Sequence, residues 1–256
     1  MLNHIIKRCL LGAAALMMVP GFGACKKNKV LRHSRLKRFT YTPQYDKCEI
    51  QYDNNGRISA LLYADGSMVS YSYTAGKIAK YYISKKIVYQ KWEYLTNADG
   101  LATEGRLFAI DTSGNSYIEK YVVRFEYDAD HHLARMTNKD YTENYYWSSG
   151  DLDSVTRQYT TSSIREKDLY NRYKRNMPEY NVLIQHDTHY IEPFLGRPSL
   201  HYVENINSYE TNSSGVFGLH ENKTYYYEFD GYMRPLSVKI NTAGAPNASY
   251  EYEEIN

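Results

Sequence analysis

The chain has 256 residues, with 31 Lys and Arg against 29 Asp and Glu, enough for one large β domain or two small ones. Its polar average composition argues against an integral membrane protein, and its near-neutral charge gives no global basis for nucleic-acid binding. Tyrosine is the outlier, with 29 copies against seven Phe and two Trp. Its ring packs while its hydroxyl stays wet, which suits a broad sheet with one or both faces partly solvated. A membrane barrel can be polar on average, but its lipid-facing positions are apolar. Here tyrosines and charges fall on both strand faces.

Residues 1–24 read as a signal peptide. Lys7 and Arg8 form a positive start, Leu10 to Val19 an apolar run, and small residues Gly23 and Ala24 precede Cys25. The run is shorter than the roughly 20 apolar residues that a spanning helix needs. Small-small-Cys after such a run resembles a bacterial lipobox, with Phe22 where an aliphatic residue is usual. The resemblance implies diacylglyceryl transfer to the Cys25 thiol, cleavage before it and acylation of the new amine. Removal of Lys7 and Arg8 leaves cations and acids balanced. Residues 25–40 then form a lipidated basic tether: KKNKVLRHSRLKR, from Lys26 to Arg38, holds seven cations and no acid, a composition suited to anionic lipid phosphates.

From residue 41 to 256 the expectation is one tyrosine-rich antiparallel domain. In CEIQYDNNGRISALLYADGSMVSYSYTAGKIAKYY (48–82), Gly56, Gly66 and Gly76 recur every ten residues within turn-like clusters. Gly and Asn tolerate the positive φ that tight hairpin turns demand, so short strands joined this way make a meander. At 116–128, Tyr121, Val123, Phe125 and Tyr127 alternate with Val122, Arg124 and Glu126, the period of a half-buried strand. The unit Tyr52-Asp53 … Arg57-Ile58 returns as Tyr127-Asp128 … Leu133-x-Arg135, with His in the glycine region, and as Phe229-Asp230 … Arg234-Pro235-Leu236.

This recurring pattern resembles the YD repeats of Rhs-type proteins. Spread over roughly residues 45–254 behind a lipobox, it is similar to a Bacteroidetes lipoprotein family, a domain of unknown function with a porin-like, curled antiparallel sheet. IEPFLGRPSLHYVENI followed by YYYEFDGYMRPLSV resembles that family's C-terminal part. The resemblance implies an all-β fold, a curled meander or an open or closed barrel, and a place in the envelope. It supplies no catalytic residues.

One segment breaks the β pattern. Pro178, a possible cap at Asn181, and Val182, Leu183, His186, His189 and Tyr190 at helical spacing predict one short helix near 181–192. Residues 205–222, rich in Asn, Ser and Gly, read as a long exposed loop. His186 and His189 share a helix face, but no third ligand, H-E-x-x-H or paired-Cys signature accompanies them, so no metal and no cofactor is expected. With Cys9 removed and Cys25 acylated, Cys48 stands alone and is expected to be buried and inert. Asp151 and Asp153 could lie on one strand face at a spacing compatible with glycoside hydrolysis, although solvated strand-end charges explain them equally. Asp153-Ser154-Val155 resembles the Asp-Ser/Thr-aliphatic O-glycosylation site of Bacteroidetes envelopes.

Two functions remain open. One is a non-enzymatic envelope lipoprotein, held at the outer membrane through Cys25, that binds a glycan, peptide or protein partner on an aromatic face. Its candidate contacts are Trp92, Trp147, Tyr225, Tyr227 and Phe229. The other is a glycan-active hydrolase with carboxylates on the concave face. The lipoproteins this chain resembles often carry acids after the cysteine when sent to the cell surface; Lys26 and Lys27 stand there here, so the resemblance implies the periplasmic leaflet.

Overall fold

A computed structural model describes residues 34–41, 45–110, 116–176, 192–232, 234–241 and 247–255. The lipobox, Cys25, most of the basic tether and the segment 177–191, with its expected helix and its histidines, lie outside the described residues. The chain folds almost wholly as strands. They run β1 (Ser34–Tyr41), β2 (Tyr45–Tyr52), β3 (Ile58–Tyr63), β4 (Met68–Thr74), β5 (Lys77–Ser84) and β6 (Ile87–Thr96). Next come β7 (Ala102–Ile110), β8 (Tyr117–Tyr127), β9 (Leu133–Asn138), β10 (Tyr141–Ser148) and β11 (Asp151–Tyr159). The set ends with β12 (Arg165–Asn176), β13 (His201–Thr211), β14 (Phe217–Phe229), β15 (Pro235–Ile240) and β16 (Ala248–Glu254). A single 3₁₀ turn, Pro193–Leu195, interrupts the described strands.

Each strand pairs antiparallel with the next, and β16 returns to β1 through Ser34↔Glu254, Leu36↔Tyr252 and Phe39↔Tyr250. The result is a closed sixteen-stranded barrel among the described residues. Closure removes the free edges that an open sheet would expose. β1 begins at Ser34, within the stretch read as tether, because its alternation (Leu36 and Phe39 buried, Lys37 exposed) already supplies a barrel face.

Meander topology gives the barrel two rims. The start rim carries both ends of the ladder and the β2–β3, β4–β5, β6–β7, β8–β9, β10–β11, β12–β13 and β14–β15 connections. The far rim carries the others. Strand alternation sorts the side chains. In β8, Val123 and Phe125 are buried while Arg124 and Glu126 are exposed. The core is a continuous inner layer that includes Cys48, Ile50, Leu61, Tyr71, Tyr94, Phe125, Tyr145, Tyr202, Tyr225, Val238 and Tyr250.

The exposed loop expected at 205–222 is instead the hairpin of β13 and β14. Its outward positions hold amides that bond across the ladder. Asn222 Nδ2 donates to Asn207 Oδ1 at 2.6 Å, and Asn205 Nδ2 to Thr224 Oγ1 at 3.1 Å. Only Asn212 to Val216 turn, with the Asn212 side-chain oxygen accepting the Ser214 and Val216 N–H groups. Asn and Ser content resembled a loop because the wet face of this hairpin is polar throughout.

Candidate functional site

The start rim is built from one recurring turn. An Asp or Asn oxygen accepts the backbone N–H groups two and four residues on: Asp53 from Asn55 and Arg57, Asn97 from Asp99 and Leu101, Asp128 from Asp130 and His132, Asp230 from Tyr232 and Arg234. Such Asx turns close the chain locally. In the first three of these turns the third residue after the Asp or Asn has positive φ. Gly56 supplies it at +75°, while His131 adopts +68° in the equivalent slot, at the Cβ cost a glycine avoids. At two turns the residue after it is Arg, and it reaches back to the same acid: Arg57 Nε to Asp53 Oδ2 at 2.8 Å, Arg234 Nε to Asp230 Oδ2 at 2.6 Å. Desolvation opposes ionisation of both acids, but these hydrogen bonds outweigh it and hold Asp53 and Asp230 below the usual carboxylate range.

An aromatic from the next strand locks the Asp53, Asp128 and Asp230 units, and Tyr52 packs the same way on Arg35 of β1. Arg35 lies over Tyr52 at 4.1 Å, Arg57 over Tyr73 at 4.2 Å and Arg234 over Tyr252 at 4.7 Å, while His132 stacks on Trp147 at 4.4 Å. The same aromatics donate to the carbonyl that follows the stacked residue. Tyr52 reaches Leu36 O at 2.5 Å, Tyr73 Ile58 O at 2.8 Å, Trp147 Leu133 O at 2.8 Å and Tyr252 Pro235 O at 3.0 Å. Cation–π contact and hydrogen bond thus act on one ring.

Two of these units wall a cavity of about 810 Å³ at the start rim. Its floor is apolar, with Ile58, Ile78, Tyr73 and Phe194; its walls carry Arg35, Asp53, Asn54, Arg57, Thr74, Thr96 and Asn97. Phe194 belongs to the segment 192–200, which crosses the rim. Its ring packs on Tyr94 at 4.8 Å, Arg197 N donates to His131 O at 2.9 Å, and Ser199 Oγ accepts Leu152 N at 3.1 Å. Glu192 enters deeper. It is 4% exposed, accepts the Tyr71 hydroxyl at 3.0 Å and pairs with Lys80. Burial opposes the Lys80 charge, yet Glu192 overrides it and raises the Lys80 pKa.

A second ionised cluster faces inward on β10–β12. Arg157 Nε donates to Glu143 Oε1 at 2.6 Å, the guanidinium also meets Glu166, and Tyr145 donates to Glu143 at 2.6 Å. Both carboxylates bond to one arginine, and Tyr145 and Tyr159 donate to them as well, so the cluster is built for cohesion rather than for a free acid and base.

The sequence candidates distribute as follows. Tyr225, Tyr227 and Phe229 share the inward face of β14; Tyr225 is 0% exposed, and Tyr227 and Phe229 pack on Tyr202 at 5.2 and 5.4 Å. Trp92 is half-buried, stacked on Tyr94 at 5.6 Å, and Trp147 serves the His132 turn. These five are not brought into one group and none lines the cavity. Asp151 is engaged by His201, through N at 2.9 Å and Nδ1 at 2.7 Å, whereas Asp153 is exposed. Ser154 is half-buried within β11. Cys48 is fully buried, and burial pushes its thiol up to about 12. The cavity residues Arg35, Arg57 and Asn97 went unrecognised in the sequence; the shared spacing of Asp53–Arg57 and Asp230–Arg234 was the available signal.

The barrel is porin-like. It superposes on a porin-like protein from Bacteroides vulgatus with a TM-score of 0.57 and 15% identity, over 87% of this chain and 100% of that one. At that identity the likeness concerns the fold alone. A TcdB2–TccC3 structure matches 77% of this chain and 11% of its own at 13% identity, with a TM-score of 0.36, too low to bear on fold or function. No family model and no curated protein matches the sequence.

The outer wall differs from a lipid-facing one. Ion pairs cross it: Arg38–Glu251 at 2.8 Å, Lys77–Glu93 at 2.8 Å, Arg106–Glu119 at 3.5 Å and Arg135–Glu126 at 3.6 Å. A Lys or Arg on the lipid face at mid-bilayer costs about 2–4 kcal/mol. These pairs set the wall apart from a uniformly apolar lipid-facing one.

Proposed function

We propose that the protein is a non-enzymatic envelope lipoprotein, acylated at Cys25, whose water-exposed barrel binds a glycan at the start-rim cavity. The observation that carries the reading is the cavity itself: an apolar, partly aromatic floor ringed by Asn, Thr and Arg side chains. That composition suits a ligand with one apolar face and many hydroxyls. Asp53, the acid among the lining residues, is already committed to Arg57 and two backbone N–H groups, which favours binding over acid–base chemistry. Closure of the barrel argues against a peptide added as an extra strand, the mode that needs a free edge. The lipobox and the Asx-closed units, similar to YD repeats, support a place in the envelope, with the basic tether favouring the periplasmic leaflet of the outer membrane.

The test is calorimetric titration of the full-length protein, purified in detergent, with malto-, cello- and xylo-oligosaccharides, each mixture checked by mass for cleavage. Saturable binding without product, weakened roughly thirtyfold by Asn97→Ala combined with Asn54→Ala, is expected from the loss of two hydrogen bonds of about 1 kcal/mol each. Product formation, or binding indifferent to both substitutions, overturns the assignment.

A further inference from the structure

The far rim carries a feature that the cavity does not use. β5 and β6 are joined by Lys85 and Lys86 alone, and both have positive φ, 49° and 65°. A two-residue hairpin of this geometry strongly favours Asn-Gly or Gly-Gly. Two lysines accept the Cβ clash instead, and place two exposed cations at a tip. Backbone strain of this kind concentrates at functional sites.

The neighbours of the tip are apolar and exposed. Ile87 is 59% exposed and Tyr89 45%; across β7, Tyr117 and Ile118 of β8 are 42% and 45% exposed. The Tyr117 hydroxyl donates to Val88 O at 3.3 Å, which ties β8 to β6, and Lys91 stands 5.1 Å from the Tyr117 ring. Lys120 is exposed beside them, while the nearby acid Glu119 faces Arg106 at 3.5 Å. Across the mouth, Val216, Phe217 and Leu219 are also exposed, but Glu210 and Glu221 accompany them. Among the described residues, the β5–β6 turn and the start of β8 join these exposed apolar groups to the cations of Lys85, Lys86 and Lys120.

We propose that this tip is a contact for an anionic lipid surface. Ile87 and Ile118 enter the acyl boundary, Tyr89 and Tyr117 sit at headgroup depth, and Lys85, Lys86 and Lys120 meet lipid phosphates. Charge complementarity selects this occupant: basic residues beside apolar and aromatic ones match the layered chemistry of a bilayer interface. The inference shares with the proposed function only that a bilayer is near. With the far rim down, the cavity opens away from the membrane.

The experiment uses full-length protein with Ile87→Cys carrying a bimane, reconstituted into vesicles that contain nitroxide-bearing lipid. Cys48 is buried and an acylated Cys25 is blocked, so the label goes to position 87. Asp153→Cys on the far wall is the control. Lipid quenching is expected at 87 and not at 153, stronger in phosphatidylglycerol-containing vesicles than in phosphatidylcholine alone. Lys85→Glu with Lys86→Glu reduces the anionic partitioning by about fivefold or more per lysine. Equal quenching at 87 and 153, or indifference to headgroup charge and to charge reversal, overturns the proposal. So does protection of position 87 from aqueous iodide in envelope membranes without lipid quenching, which points to a protein partner. Intact mass of the same sample reports acylation at Cys25 separately, so loss of the anchor and failure of the tip are distinct results.

Discussion

Arg57 lies 4.2 Å over the ring of Tyr73, and the Tyr73 hydroxyl donates at 2.8 Å to the carbonyl of Ile58, the residue that follows Arg57. One side chain therefore fixes both the head of the turn and the first carbonyl of β3. Tyr73→Phe keeps the ring and removes the hydrogen bond, and should cost about 1 kcal/mol. Tyr73→Ala also removes the packing and should cost about 3 kcal/mol or more. Urea unfolding monitored by circular dichroism gives both values. Equal losses would show that the ring contributes little.

Asp53 and Asp230, which close two of the turns, titrate with folding. Their pKa values are lowered in the folded state, so the stability they confer is present above the unfolded value near 4 and is lost as pH falls through the folded value. Asp230→Asn retains an acceptor for the turn amides but loses the charge that Arg234 meets at 2.6 Å. The variant should be less stable at pH 7, with the difference narrowing toward pH 3. Denaturation midpoints across that range measure it.

Lys80 and Glu192 form a buried pair between the barrel wall and the crossing segment. Lys80→Met alone leaves a buried carboxylate uncompensated and should cost about 3–5 kcal/mol, whereas Lys80→Met with Glu192→Leu should recover most of the loss. A double-mutant cycle on unfolding free energies reads the coupling. Additivity would mean that the pair does not hold the segment.

Gly196 sets the path of that segment over the rim. Its φ is +113°, and a Cβ there would stand 2.9 Å from His131 O and 3.0 Å from Leu133 N. Both contacts are backbone and cannot step aside. Gly196→Ala should destabilise by roughly 2 kcal/mol and speed exchange of the Arg197 amide, which is bonded to His131 O. Hydrogen exchange at that amide localises the effect.

Cys48 is fully buried with its thiol pushed up to about 12. The folded protein should not react with a disulfide reagent at pH 8, and reaction should track unfolding in urea. Rapid labelling without denaturant would contradict the packing around β2 and β3.

The β class, the meander and the turns were legible in the sequence, because each is a local matter. Period-two alternation at 121–127, glycines every ten residues and the Asp–Arg spacing at 53–57 and 230–234 are properties of short windows, set by strand geometry and by the φ that a turn requires. Tertiary structure decided the rest. Whether β16 would meet β1 depended on sixteen strands accumulating enough coil to close, which no window contains. Which face was wet also depended on closure: it sent Tyr225 and Tyr227 inward, set the Asn ladder of β13 and β14 outward, and so turned an apparent loop into a hairpin. The cavity followed from the same cause. Arg35, Arg57, Asn97 and Phe194 lie far apart in sequence and share a wall only because the start rim is a ring.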